Sequence, residues 1–168
     1  RLRQSEERYR TLAEAAHDTI FVIGRDERIQ YFNSFAARQF GKRLDELIGK
    51  PLAELFPPEV YEPWRRSLQE VFETGKPVYA EVRTPLPGRD QWSGTWLAPI
   101  RDEAGEVQAV LGIARDITER KQAELAVLRS AELTQLLESL ARAANEALTP
   151  EAAMVACLGL ICRHGRWV

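Results

Sequence analysis

The sequence predicts an α+β fold: five antiparallel strands with short helices on one side, flanked by an N-terminal helix and a long C-terminal amphipathic helix. Three observations predict it. Two runs of β-branched and aromatic residues, TIFVI and IQYF, stand on either side of the polar turn GRDER, as a hairpin requires. Three further strand-like runs, VYAEVRT, WSGTWLAPI and VQAVLGIARDI, are separated by the turn-rich PLPGRDQ and RDEAGE. Between the two groups, residues 34 to 75 return to helical spacing in pieces broken by Gly41, Gly49-Lys50-Pro51 and Pro57-Pro58.

Each element has a local reason. Residues 1–16, RLRQSEERYRTLAEAA, place Leu2, Tyr9, Leu12 and Ala16 at helical spacing, with Ser5 as a cap inside a charged stretch. This is an entry helix with one narrow apolar stripe. In EVYEPWRRSLQEVFETG, Val60, Trp64, Leu68, Val71 and Phe72 share a helix face, and Gly75 and Pro77 stop it. At Asp116 the pattern changes again. Thr118 is read as the cap of a helix over 119–148, whose stripe is Leu125, Leu128, Leu133, Leu136, Leu137, Leu140, Ala144 and Leu148. About thirty helical residues span roughly 45 Å. That exceeds the width of a small domain, so much of the stripe needs a partner outside the sheet. Thr149-Pro150 then reads as a cap and first helical residue, opening a second helix to about Arg163, and Trp167-Val168 reads as the start of a strand.

Composition bounds the function. With 168 residues, 45% hydrophobic and 29% charged, the chain is no disordered tail, collagen-like rod or disulfide scaffold, and it holds one core with appendages. A net charge of -2 offers no basic face for phosphate, and Arg65-Arg66 is too small a patch, so nucleic acid is not expected as a partner. The longest apolar run, Ala152 to Cys162, is eleven residues, against the roughly 20 that cross a bilayer, so no membrane contact is expected of this segment. Cys157 and Cys162 match no zinc or redox spacing and read as reduced core residues of a cytoplasmic protein. The chain opens on Arg1 without a signal peptide and is read as a piece of a longer polypeptide, whose other parts can include an anchor or an effector. No nucleophile-base set, Gly-rich phosphate cradle or metal-spaced His/Cys cluster is visible, so this segment is not read as an enzyme.

The succession of entry helix, TIFVIGRDERIQYFN, short helices carrying IGKPLAELFP, and WLAPIRDEAGEVQAVLGIARDITERK resembles a Per-Arnt-Sim (PAS) sensor domain with its C-terminal motif, over about residues 5 to 122. GIARDITERK is its most specific part. In that family the Asp-Ile-Thr triplet, here Asp116, Ile117 and Thr118, marks the junction of last strand and output helix. The resemblance assigns residues 17–118 to the sensor domain and 119–148 to an output helix. Residues 149–168, with the helix before them, are similar to the truncated start of a GAF domain.

What the resemblance implies is a sensory input module of a multidomain signalling protein. The expected effector is a sensor histidine kinase; the alternatives are a diguanylate cyclase or phosphodiesterase, or a ligand-free dimerisation and interaction module. Ligand-pocket candidates are Phe32, Phe40, Leu52, Leu55, Trp64, Leu68, Ser93, Thr95 and Ala114. Aromatic and aliphatic residues at these spacings also serve as plain core. A sensor should enclose a few hundred Å³ with some polar lining, and a spacer should be filled by its own side chains. The cofactor is left unknown. Leu52 stands where the photochemical flavin branch carries its reactive cysteine, and Ser93, Thr95 and Ala114 offer no paired amide donor and acceptor. Trp64 stands where the haem branch carries its ligand histidine, while His17 and His164 lie elsewhere, so both family-type cofactors are disfavoured. His17 reads as a surface or cap residue.

The family comparison turns Ser93, Thr95 and Leu97 inward, which leaves Trp92 and Trp96 on the outer face of the sheet. Each indole buries about 150–250 Å² when covered. At roughly 25 cal/mol/Å², two exposed rings forgo several kcal/mol, so the face should be covered by the entry helix through Leu12, by a second copy of the chain, or by both. Leu125 and Leu128 extend that interface, and a homodimer through terminal helices and outer sheet face is the expected assembly. An unknown small molecule is the other expected partner.

Overall fold

The computed structural model describes residues 2–164. The side chains of Leu2, Ser5, Tyr9 and His164 and the strand expected at Trp167-Val168 lie outside the described residues. The chain divides after Thr118 into two units. The first holds α1 (Leu2–Ala15), β1 (Thr19–Gly24), β2 (Ile29–Phe32), α2 (Ser34–Phe40), α3 (Leu44–Leu47), a 3-10 turn (Leu52–Glu54), α4 (Pro58–Thr74), β3 (Val78–Leu86), β4 (Arg89–Arg101) and β5 (Val107–Asp116). The strands form one antiparallel sheet of order β2-β1-β5-β4-β3.

The core lies between one face of this sheet and the helices. Ile23, Ile29, Leu97 and Val110 from the strands meet Leu47, Leu68 and Val71 from α3 and α4, all essentially without solvent exposure. The stripe read on α4 is the buried one, with Trp64, Leu68 and Val71 inside, and Gly75 closes the helix at φ 62, a conformation glycine adopts without steric cost. Asn33, fully buried, ties the N-terminal half together. Its Oδ1 accepts from the N–H of Ile20 at 3.2 Å and of Ala36 at 3.0 Å, and its Nδ2 donates to the carbonyls of Ala13 and Asp18, both at 2.9 Å. One side chain therefore caps α2 and fixes the turn from α1 into β1.

Three expectations need correction. The loop expected over PLPGRDQ shrinks to Pro87-Gly88, because β3 and β4 remain paired down to Leu86 opposite Arg89 and Gly88 supplies the positive φ of a tight turn. Pro85 is tolerated in that ladder because β3 is an edge strand. The described residues of the entry helix do not cover Trp96. Glu14, at its end, accepts from the Ser34 N–H at 2.8 Å, from the Ser34 hydroxyl and from the Tyr31 hydroxyl at 3.1 Å, which holds α1 against β2 and α2. Leu12 is accordingly 63% exposed and Trp96 58%. The third correction concerns the cysteines, since Cys157 is half-buried and Cys162 exposed, and neither is core.

The second unit consists of the rest of α5 (Thr118–Glu146) and α6 (Pro150–His164). The α5 helix runs unbroken for 29 residues with none of them buried, and Leu125, Leu128, Leu133 and Leu137 stand exposed along it. Thr149 caps α6, its hydroxyl accepting from the Ala152 N–H at 3.2 Å, with Pro150 at the first helical position. Among the described residues, no helix is long and apolar enough to cross a membrane.

Candidate functional site

Two features of the first unit converge on β4: a small cavity against its inner face and the junction at its N-terminal end. The cavity has a volume of about 30 Å³. Phe21, Phe32, Phe40, Phe56 and Trp64 bring aromatic rings to its wall. Phe32 stacks on Phe40 at 5.8 Å between centroids, Phe56 on Trp64 at 6.5 Å, and Phe21 packs between the pairs, 5.9 Å from Phe32 and 5.5 Å from Trp64. Phe21 can lie flat over β5 only because its neighbour there is Gly112, where a Cβ would sit 2.0 Å from the ring.

Leu52, Leu86 and Ala114 add aliphatic surface to the wall, and Thr19, Gln39, Thr84, Gln91 and Ser93 add polar groups. Among the described residues no charged side chain takes part. Of the residues expected at the pocket, Phe32, Phe40, Leu52, Trp64, Ser93 and Ala114 stand on this wall, whereas Leu55, Leu68 and Thr95 do not. Leu68 lies one helical turn beyond Trp64 and is absorbed by the core, Leu55 packs half-buried against that core, and Thr95 sits one pleat further along β4 than Ser93.

Gln91, Thr84 and Gln39 are wall residues that the sequence reading missed. Gln91 has the inward parity of Ser93 and Leu97, so extending that alternation by one step would have found it. Thr84 needs the register that sets it opposite Gln91, which no sequence pattern supplies. Gln39 and Gln91 bring to the wall the paired amide donor and acceptor that Ser93, Thr95 and Ala114 do not offer.

The polar wall is incompletely satisfied. The Gln91 Nε2 donates to Ser93 Oγ at 3.1 Å, but Gln91 Oε1, Thr84 Oγ1 and Trp64 Nε1 are buried without a hydrogen-bond partner, as is Thr95 Oγ1 further along β4. Natural cores carry few such groups, and each calls for an explanation.

The junction is built on Trp92. The β4–β5 ladder ends with Ser93 opposite Asp116, yet the next residue of β4 stays bonded. The Trp92 carbonyl accepts from the Ile117 N–H at 2.8 Å, and the Trp92 N–H donates to Thr118 Oγ1 at 3.0 Å. Asp116 Oδ1 accepts from the Thr118 N–H at 2.9 Å. Thr118 is therefore not the helix cap expected from the sequence. Asp116 supplies the first bond to α5, and the threonine hydroxyl is spent on the sheet. Arg89 approaches Asp116 only to 3.9 Å, with both groups largely exposed, an arrangement of little energetic weight.

On the outer face, Tyr79, Trp96 and Ile113 stand side by side on β3, β4 and β5, with the two rings 5.1 Å apart. All three are exposed, while Trp92 is half-buried. Next to them Gly94 leaves room for the Tyr79 hydroxyl and the Ile117 side chain, at 2.5 and 3.2 Å from where a Cβ would be.

Electrostatic perturbations lie at the periphery. Burial would raise the Glu14 carboxyl, but the hydrogen bonds from the Ser34 hydroxyl, the Ser34 N–H and Tyr31 outweigh it and hold the group below its ordinary range. Tyr31 and Tyr61 are pushed up to about 12 by burial and by the carboxylates they bond, Glu14 and Glu27 respectively. Among the described residues no group of three or more His, Cys, Asp or Glu side chains is arranged to hold a metal ion.

Comparison with known proteins gives a family match and several relatives. Residues 13–122 match the family described as PAS fold. The chain is 31% identical over 130 residues to the methanogenesis regulatory histidine kinase FilI of Methanothrix harundinacea, which covers 77% of this chain and 15% of FilI. It is 29% identical over 151 residues to the two-component sensor PprA of Pseudomonas aeruginosa, covering 89% of this chain and 16% of PprA. Among solved structures, a PAS domain from Colwellia psychrerythraea is similar in fold, with a TM-score of 0.59 and 23% identity over 68% of this chain and 98% of that one. The chain thus spans under a fifth of the length of the two sensor proteins.

Proposed function

The chain belongs to the PAS family, and from that premise we propose that it is the sensory input module of a sensor histidine kinase, passing a change at the cavity through Asp116, Ile117 and Thr118 to α5. One observation carries this reading. Gln91 and Ser93, on the cavity wall, flank Trp92, whose backbone C=O and N–H are bonded to Ile117, just before the output helix, and to Thr118, its first residue. A displacement of β4 at the cavity therefore reaches α5 across two hydrogen bonds, with no intervening loop. A ligand can use that path only to the extent that it binds the two strand positions unequally, about 1.4 kcal/mol giving a tenfold shift.

The kinase reading draws on FilI, which is named a histidine kinase, and on PprA, named a two-component sensor. A diguanylate cyclase or phosphodiesterase is the alternative effector. The test is Thr118→Ala in the intact protein. It should change the autophosphorylation rate from ATP several-fold in either direction, and Thr118→Ser, which keeps the hydroxyl, should restore it. An unchanged rate in Thr118→Ala would refute the junction mechanism. Product formation from GTP without autophosphorylation would move the assignment to the alternative effector.

The outer row of Tyr79, Trp96 and Ile113 favours a second, compatible reading in which the module dimerises through this sheet face and through the exposed stripe of α5. A 30 Å³ cavity, well below the few hundred Å³ of ordinary ligand pockets, also favours a spacer, whereas the unpaired polar groups on its wall favour a sensor. We give the polar groups more weight, since a pure spacer gains nothing by leaving them unpaired. Photochemical flavin and family-type haem remain outside the proposal, as Leu52 provides no thiol and Trp64 no imidazole at the corresponding positions. A cytoplasmic location follows from the proposed role.

A further inference from the structure

The sensory reading leaves open what the cavity receives, and this inference, which rests on that reading, concerns the class of molecule. Three unpaired buried polar atoms stand on residues of one wall: the indole N–H of Trp64 on α4, the hydroxyl of Thr84 on β3 and the amide oxygen of Gln91 on β4. Thr84 and Gln91 are directly opposite in the ladder. Three elements thus deliver one obligate donor, one acceptor and one group that can act as either. In the unfolded chain each of these is bonded to water, so in the folded chain each is a loss unless something bonds it.

The rest of the wall decides between occupants. Among the described residues it contains no charged side chain, so an ion would be buried without a counter-charge. A hydrocarbon would fit the aromatic rings and leave all three polar atoms unpaired. Water satisfies polar atoms, and the void holds about two water molecules, but the flat aromatic surfaces give water nothing. We infer that the cavity takes a small uncharged planar molecule bearing a hydrogen-bond acceptor beside a donor, a lactam being the simplest, its acceptor on the Trp64 indole N–H and its donor on Gln91 Oε1. A ring-sized occupant needs more room than the void now offers. Gln39 and Phe40 can supply it, being half-buried wall residues at the end of the short helix α2.

The experiment titrates the nitrogen-15-labelled 168-residue chain with 2-pyridone and follows the Trp64 indole resonance, assigned by its loss in Trp64→Phe. The expected result is a saturable shift, with benzene and benzoate binding at least about tenfold more weakly, since a site built for hydrogen bonds rejects analogues that lack them. Gln91→Leu should weaken 2-pyridone by about tenfold or more and leave benzene unimpaired. Trp64→Phe, which removes the indole donor, serves as the second variant if Gln91→Leu does not fold, with a weakening in the same direction read on the 2-pyridone resonances. Absence of a saturable shift at millimolar 2-pyridone, or benzene binding as tightly, would overturn the inference and leave the cavity to water. Neither result bears on the junction, which Thr118→Ala tests without any ligand.

Discussion

Replacing Thr95 with valine should stabilise the protein, against the usual expectation for a buried residue of a central strand. Thr95 is 1% exposed, lies between Ala80 on β3 and Ala114 on β5, and its hydroxyl has no partner. Burying a hydroxyl unpaired costs about 1–3 kcal/mol. A methyl of similar size removes that penalty and adds an apolar group worth about 0.8 kcal/mol, while the β-branched shape that suits a strand is kept. Allowing for imperfect fit, the expected gain is about 1–2 kcal/mol, or roughly 2–4 °C in midpoint for each kcal/mol in a chain of this size. Urea unfolding followed by circular dichroism measures it, with an unchanged slope as the sign that only stability has moved. The cavity supplies an internal comparison. Thr84 is equally unpaired but stands on the cavity wall, so bound water there would reduce the gain from Thr84→Val relative to Thr95→Val. A Thr95→Val protein less stable than its parent would refute the reasoning, because it would mean that the hydroxyl is bonded after all.

Other consequences follow from particular contacts. The lowered Glu14 carboxyl contributes stability that is present above its ordinary value of 4.5 and is lost as the pH falls through its lower folded value, so Glu14→Gln should flatten the acid limb of a stability–pH profile measured by thermal melting. In an alkaline absorbance titration Tyr31 and Tyr61 should both ionise near 12, and Tyr61→Phe should lower the amplitude of this late step while leaving the part that belongs to Tyr31. Gly112→Ala drives a Cβ into the Phe21 ring and should cost about 1–3 kcal/mol in urea unfolding, with a matching loss of whatever binds beside Phe21. Trp96→Glu places a charge in the middle of the outer row, and sedimentation should show the proposed dimer weakened by about tenfold or more; equal association, or a monomeric parent, would refute dimerisation through that face.

What the sequence made legible is whatever depends on periodicity. The inward parity of Ser93 and Leu97, the buried stripe Trp64–Leu68–Val71 on α4 and the unbroken helix after Asp116 are all one-dimensional patterns, and the fold realises each of them. The errors arise where two patterns must be combined. Leu12 has helical spacing, but the bonds of Glu14 to Tyr31 and Ser34 and of Asn33 to the Ala13 carbonyl hold the end of α1 against β2 and α2. PLPGRDQ is rich in turn residues, yet only Pro87-Gly88 turn, because cross-strand pairing outweighs composition for the rest. Thr84 reaches the cavity through register alone.

The strand that lines the cavity is also the one that holds the output helix, and strand geometry explains why both duties fall on β4. Side chains of a strand alternate between faces while its N–H and C=O groups lie in the sheet plane, so Gln91 and Ser93 can face the cavity without using the bonding capacity of Trp92 between them. β5 ends one residue too early to pair Trp92, which would leave two backbone groups of a half-buried residue unsatisfied. Ile117 can supply the donor as the chain leaves the sheet. The acceptor is harder to provide, because the backbone is already turning into a helix whose carbonyls point along its axis. A side-chain oxygen at 118 solves this, and Asp116 then takes the Thr118 N–H, which no intrahelical carbonyl can accept. Serine fits the same logic and alanine does not, so the identity of residue 118 follows from the mismatch in length between two neighbouring strands.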